Sequence, residues 1–522
     1  MPNRSAGEEV GRAADAAAVQ DAPSVPIPST FALNALLLLF LVNFTLQPLT
    51  EPDFGWHLRA GLDLLQNGLP LPAFDPYSHT MPDWPWVEHA WLTDVTIGTL
   101  YASWAGGLGV IVLFGAVATG AWLLAAGAAP APRHARWLAA TLSIWVALPY
   151  LGARTQLVSW LGLALLLRLL SAPARSAQRW IPPLFLLWAN LHGGFVLGLA
   201  LMSVIAVALW SMRLLHTKTK WASRFWPMDE SGYAQAELRR LVLLTAASAF
   251  VTLANPYGWR LHGEIIDSLS NQFMVDELQE WQPLSLATTA GRGYVLYLAA
   301  LGVAMCCWYR RCEPVRWAVW LAFLWVSLRH MRNVPVFLVV SLPLAAELTA
   351  VAFDRLNRLL GAGARATRLG MLAGAVVAAL LLTWEGPDHL HHVIQSGTEP
   401  ARYFQGTSYP IEAVEWIKMH PAQAGARLYN DYGSGGFLLW WMPEHKIFID
   451  GRMPAWRIGD RRIFQDYVAL TQSEPVDLSV LEKYAVDWAL VRRETPLDRA
   501  LHRETRWVRI YEDEKVSLYV VP

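Results

Sequence analysis

The chain has 522 residues, of which 54% are hydrophobic and only 16% charged. A soluble globular chain carries about 25% charged residues, so most of this one is not a string of soluble domains. Lys+Arg and Asp+Glu balance at 42 each, which speaks against the basic excess of a nucleic-acid binder, and Cys306, Cys307 and Cys312 are too few and too close for a disulfide framework.

Residues 1–30 are polar, rich in Ala, Pro and Ser, and without apolar period; they read as a disordered cytoplasmic tail. From 31 to 384 apolar runs alternate with short polar breaks, placing membrane spans at 31–49, 106–128, 137–150, 156–171, 180–191, 194–212, 240–254, 293–309, 316–328, 334–350 and 367–384. A crossing needs about 20 apolar residues, so the shorter runs must recruit their flanks, tilt or break. The expectation is a mostly α-helical polytopic bundle of about eleven spans. Trp residues near the ends of the runs suit the water–lipid boundary.

With the N-terminus inside, the inner segments collect Arg133, Arg136, Arg175, Arg179, Arg239, Arg240, Arg310, Arg311, Arg316, Arg355 and Arg358. The outer loops hold only Arg59, Arg154, Arg260, Arg292, Arg329 and Arg332. That asymmetry sets the orientation and puts the three cysteines at an inner, reducing face.

From Glu385 hydropathy drops, and residues 385–522 are expected to form a soluble extracytoplasmic α/β domain. A helix is expected at 411–420, and strands at 427–429, 446–449, 486–491, 507–511 and 517–521.

Polar chemistry concentrates on the outer face. The first outer loop, 50–93, carries Glu51, Asp53, His57, Asp75, His79, Asp83, Glu88 and His89, and loops of that length are usually functional or disordered. Trp86–Trp104 has the pattern of an amphipathic surface helix. Asp53 is the first candidate: a carboxylate at the mouth of a bundle can take a proton from an acceptor hydroxyl or hold a divalent cation, while Pro-Asp also opens a helix at Phe54–Gln66. These readings stay open together.

His57, His79, His89 and Glu88 lack a metal-motif spacing; Glu51, His57, Glu88, His89 and His192 are substrate-contact candidates. Arg329-His330-Met331-Arg332 lies in a tight outer turn; two Arg there suit a phosphate, against the alternative of headgroup snorkelling, and Arg154 joins them. His192-Gly193-Gly194 reads equally as a broken or re-entrant span end, where irregular backbone can line a cavity, and as a simple turn. Asn430-Asp431-Tyr432-Gly433-Ser434-Gly435-Gly436 and Asp450-Gly451-Arg452 read as tight turns.

An inside N-terminus, one span, then a large outer loop opening on Glu51-Pro52-Asp53 resembles the GT-C superfamily of polytopic membrane glycosyltransferases. The runs Asp75-Pro76-Tyr77-Ser78-His79-Thr80 and Pro85-Trp86-Val87-Glu88-His89, with Arg332-Asn333 and Asp450-Gly451-Arg452, resemble a bacterial branch of it. The resemblance implies an inverting transfer from a polyprenyl-phosphate-linked sugar to a glycan, lipid or protein acceptor at the outer face of a bacterial inner membrane. Asp53 matches the acidic position that serves such enzymes as base or metal ligand, and a Mg or Mn ion at Asp53 and His57 goes with it. Asn430-Asp431-Tyr432-Gly433 matches only the end of the oligosaccharyltransferase Trp-Trp-Asp-Tyr-Gly motif, which speaks against an N-glycosylating enzyme. The alternatives are a transporter or flippase for a lipid-linked or polar solute, which would need polar groups at mid-membrane depth, and a structural assembly protein.

Overall fold

The computed structural model describes residues 28–68, 70–218, 235–309, 313–359 and 365–522. The expected tail falls outside the described residues up to residue 27, as do Cys312, Arg310 and Arg311.

Every one of the expected apolar runs forms a helix. They are α1 (Pro28–Thr45), α4 (Gly106–Gly127), α5 (Arg133–Ala147), α6 (Gln156–Leu170), α7 (Ile181–Leu191), α8 (Phe195–Lys218), α9 (Gln235–Val251), α12 (Thr289–Cys307), α13 (Pro314–Arg329), α14 (Val334–Leu359) and α15 (Arg365–Trp384). Four helical segments among the described residues are long and apolar enough to cross a membrane: α4, residues 195–215, α12 and residues 331–359. A fifth counts if α15 and the following α16 (Gly386–Thr398), bent by 52° at Glu385, are one broken span. The expectation of about eleven spans is corrected to that extent, because α5, α6, α7 and α13 have only 15, 15, 11 and 16 residues, less than the hydrocarbon thickness at 1.5 Å per residue. Several helices nevertheless turn apolar side chains outward, among them Val207, Phe250, Leu296, Leu321 and Leu380. That surface belongs in lipid, and the chain reads as a multi-pass membrane protein.

Two connectors after the first span are helical. α2 (Phe54–Gln66) and α3 (Trp91–Ala102) cross closely, and α3 lies inside the expected surface helix. Between the bundle helices run α10 (Trp259–Ser270) and α11 (Gln272–Glu277). The C-terminal segment contributes α17 (Pro400–Gln405), α18 (Ile411–Met419), α19 (Gly435–Trp441), α20 (Ile463–Gln472), α21 (Ser479–Lys483) and α22 (Pro496–Arg503). Its sheet contains β1 (Leu428–Asn430), β2 (Trp488–Arg492), β3 (Val508–Glu512) and β4 (Val516–Val520) in the order β1-β2-β4-β3. β1 runs parallel to β2; the other pairs are antiparallel.

The strand expected at 446–449 does not join this sheet. Its backbone pairs with the first loop instead: Ile447 bridges Ser78, His79 N–H donates to Ile447 O at 3.1 Å, and Thr80 Oγ1 donates to Phe448 O at 2.7 Å. The loop thereby becomes part of the second of two apolar cores. The first core is made by the bundle helices. The second combines Trp56, Tyr77, Met81 and Trp86 from the loop and α2 with Phe404, Ile411, Tyr429, Ile449, Trp488 and Tyr519. At Gly55 and Gly436 the backbones of α2 and α19 come so close that a Cβ on either would overlap the other segment; only glycine allows that approach.

Candidate active site

Asp53 sits at the start of α2, but its side chain does not cap the helix. It accepts a hydrogen bond from Trp56 Nε1 at 3.1 Å and lies directly against Gly451. The carboxylate is half-buried in the cleft between the first loop and the C-terminal segment. Burial pushes its pKa above the usual carboxylate value, and the nearby charge of Glu280 adds to that rise. Glu51 is ion-paired with Arg154; burial nevertheless outweighs that pairing and pushes Glu51 up to about 7.

Arg332 pairs with Glu280 at 3.0 Å and lies over the Trp281 ring, 4.5 Å from its centroid. His330 Nδ1 is 2.6 Å from the Trp281 carbonyl, so that ring is occupied in holding the turn. Arg329 is exposed and stacks on Trp325 at 5.2 Å; the tight turn therefore sends its two arginines different ways. The charges of Glu280 and Asp53 reach Arg154 and add to that of its partner Glu51, while Arg332 stands near Asp53 only through its partner Glu280, whose charge acts on Asp53. The structure does not bring Arg329 there.

The histidines form a second layer. His57 lies on Trp56 with ring centroids 3.5 Å apart, and its Nδ1 is 2.6 Å from Asp94 Oδ1. His89 stands between His57 and His192, at centroid distances of 6.4 and 5.6 Å. His192 Nδ1 is 2.7 Å from Ser159 Oγ, which also accepts Trp188 Nε1; the break between α7 and α8 is what turns it inward. Burial lowers His57 to about 4 and His89 to about 3, so both are neutral imidazoles near pH 7. His79 is elsewhere, with Nε2 2.8 Å from Leu428 O.

Sequence reasoning overlooked the clamp that joins the loop to the C-terminal segment. Arg452 is buried between Asp450 and Asp75, both at 2.7 Å, and is ringed by Trp56, Tyr77, Trp86 and Trp456. Asp75 also accepts the N–H groups of Tyr77 and Ser78, which explains why Asp-Pro-Tyr-Ser is a turn. Glu280, an outer-turn residue, and Tyr432, expected only in a tight turn, also stand near Asp53. Burial keeps the Tyr432 phenol protonated, reinforced by the charges of Asp53, Glu280 and Asp450. Beside the cleft opens a cavity of about 350 Å³ lined by Thr50, Pro52, Tyr409, Asp431, Ser434 and Arg492. Asp431 pairs with Arg492 at 3.3 Å.

Asp53 accepts from Trp56 through Oδ1 and is packed on Gly451, and among the described residues no third donor groups with Asp53 and His57 to complete an ion site. The donors that do group in space are His57, Glu88 and Asp94.

No family model matches the chain, and no curated protein matches it. Among solved structures it is similar to the oligosaccharyltransferase of Archaeoglobus fulgidus tethered with an acceptor peptide containing the NVT sequon. Identity is 12% and the TM-score 0.49, covering 89% of this chain and 69% of that one. The apo form gives 13% identity and a TM-score of 0.45, with 89% and 70% covered. The archaeal oligosaccharyltransferase AglB from the same organism, in complex with an inhibitory peptide and a dolichol-phosphate, gives 12% and 0.49, with 89% and 70% covered.

Proposed function

We propose that this chain is an integral membrane glycosyltransferase of GT-C type, in line with the resemblance of its sequence. It moves a sugar, with inversion, from a polyprenyl-phosphate-linked donor to a glycan, lipid or protein acceptor at the outer face of the membrane. The observation that carries the reading is Asp53: a half-buried carboxylate with a raised pKa, next in sequence to the cavity-lining Pro52, with the Glu51–Arg154 and Glu280–Arg332 pairs close by. The setting is a bacterial inner membrane, with the N-terminus cytoplasmic and residues 385–522 an extracytoplasmic domain.

The acceptor enters beside Thr50 and Pro52. Its hydroxyl gives its proton to Asp53 as the new bond to the anomeric carbon forms, and the bond from that carbon to the phosphate oxygen breaks on the opposite face. A raised pKa makes Asp53 a stronger base. Negative charge grows on the departing polyprenyl phosphate, and Arg332 and Arg154 are the fixed cations that meet it, each shared with the carboxylate it holds in the free protein. His330 orients the turn that carries Arg332.

The transporter reading lacks its physical requirement. Among the described residues the buried ionisable side chains His57, Asp75, Glu88, Asp94 and Asp450 all belong to the first loop, α2, α3 or the C-terminal segment, whereas the buried polar side chains of the apolar bundle helices are hydroxyls such as Thr119, Ser143 and Ser341. The test is Asp53→Asn: label transfer from a polyprenyl-phosphate-sugar in membranes is abolished while the protein still inserts. Full transfer removes Asp53 from the chemistry.

A further inference from the structure

The transfer chemistry leaves one buried cluster unused. His57, Glu88 and Asp94 are 3%, 2% and 0% exposed, and one donor atom from each lies within 4.8 Å of the others. Three of the four carboxylate oxygens, both of Glu88 and Oδ2 of Asp94, are buried without a hydrogen-bond partner. Buried charges are normally paired or bound to metal. Arg452, the cation whose charge reaches Glu88, is already shared by Asp75 and Asp450, and Arg332 is held by Glu280. Two carboxylates therefore face each other with no donor between them. Either a proton on one bonds the other, or a cation sits between them.

We propose that His57, Glu88 and Asp94 bind one divalent cation of the zinc or manganese class. Three observations favour an ion over a shared proton. One imidazole with two carboxylates is a mixed N/O set of the kind these metals take, less suited to the all-oxygen preference of Mg or Ca. The imidazole is pre-set as a ligand: its ring is fixed by stacking on Trp56, and with Nδ1 facing Asp94, Nε2 faces Thr155 Oγ1 at 3.3 Å. That outer hydrogen bond is the contact that orients metal-binding histidines. The three donors also come from three separate segments, α2, the end of the first loop and α3, whose backbones already touch where Gly61 meets Asp94. An ion would lock these segments together beneath Trp56, whose indole donates to Asp53. Asp53 is not a member of the group.

The test uses the purified full-length chain in detergent, stripped with a chelator and then given Zn²⁺ or Mn²⁺ alone. One equivalent is retained through desalting, measured by elemental analysis, and the thermal midpoint rises as expected for a ligand that binds only the folded state. Glu88→Gln and Asp94→Asn lose both the retained equivalent and the rise; Asp53→Asn keeps both. X-ray absorption of the zinc-loaded wild type, which needs no variant to fold, shows a shell containing one imidazole nitrogen. A stripped wild type that retains no metal and melts at the same temperature with and without it overturns the proposal in favour of the shared proton. Retention by Glu88→Gln, or an all-oxygen shell, overturns the ligand set.

Discussion

Gly451→Ala isolates the position of Asp53 from its chemistry. A Cβ on Gly451 would overlap Asp53 Oδ1 and stand 2.9 Å from Asp53 Cγ. Carbon atoms settle at about 3.5–4.0 Å, so the carboxyl must retreat by about 1 Å. Gly451 does not use a positive φ, so alanine meets no backbone strain of its own, and the burden falls on the carboxylate. Retreat also breaks the 3.1 Å bond from Trp56 Nε1. One hydrogen bond is worth about 1 kcal/mol of stability, whereas misplacing a reacting group by about 1 Å costs about 100-fold in rate, or about 2.7 kcal/mol of barrier. The variant should therefore insert and melt within a few degrees of wild type while transferring label about 100-fold more slowly. The assay is incorporation of radiolabelled sugar into endogenous acceptor in membranes, run beside thermal unfolding of the purified protein. Undiminished transfer would refute the claim that Asp53 must be held where it is.

Three further outcomes follow from the geometry. Arg332→Ala should raise the donor KM by about 10-fold or more, as loss of a charge-assisted bond implies, whereas Arg329→Ala, exposed over Trp325, should leave it within about 2-fold; equal effects would mean the tight turn acts as a whole. Only ionised Asp53 accepts a proton, and its pKa is raised, so transfer should fall as pH drops through a value above the ordinary carboxylate range. Glu280→Gln removes a charge that raises that pKa and should move the limb to lower pH, read from the pH–rate profile; an unmoved limb would separate Glu280 from Asp53. Arg452→Leu strands the buried Asp75 and Asp450 carboxylates and should cost about 3–5 kcal/mol, as breaking a buried pair does, measured by thermal unfolding.

Local order was the legible part of this chain. Helix α2 falls at the expected 54–66, each apolar run is a helix, and four of five expected strands lie within two residues of their places, because propensity, period and turn residues are short-range signals. Span number was less legible: composition shows where a helix is apolar, and length decides whether it crosses. The strand expected at 446–449 has strand character, but its partner lies more than 350 residues away in the first loop, which no local pattern announces. The same holds for the site. Asp53, Arg154, Arg332 and His192 could be singled out as polar residues where polarity is costly. Their pairing with Glu51 and Glu280 could not, nor could the meeting of Asp94 with His57 or the Arg452 clamp, because each joins segments far apart in sequence. Arg329 and Arg332 looked equivalent in sequence; the three-residue 3₁₀ turn at Met331–Asn333 separates them.

Transfer at the outer face with Asp53 as base can be read in right-side-out vesicles. Vesicles carrying wild type or Asp53→Asn are matched for inserted protein, and transfer from a polyprenyl-phosphate-linked labelled sugar to acceptor is followed with only the outer face accessible. Wild type should transfer, and Asp53→Asn should lose about 10²–10⁴-fold, the range of a general base. Equal rates in the two, or transfer confined to inverted vesicles, would contradict outer-face transfer with Asp53 as base.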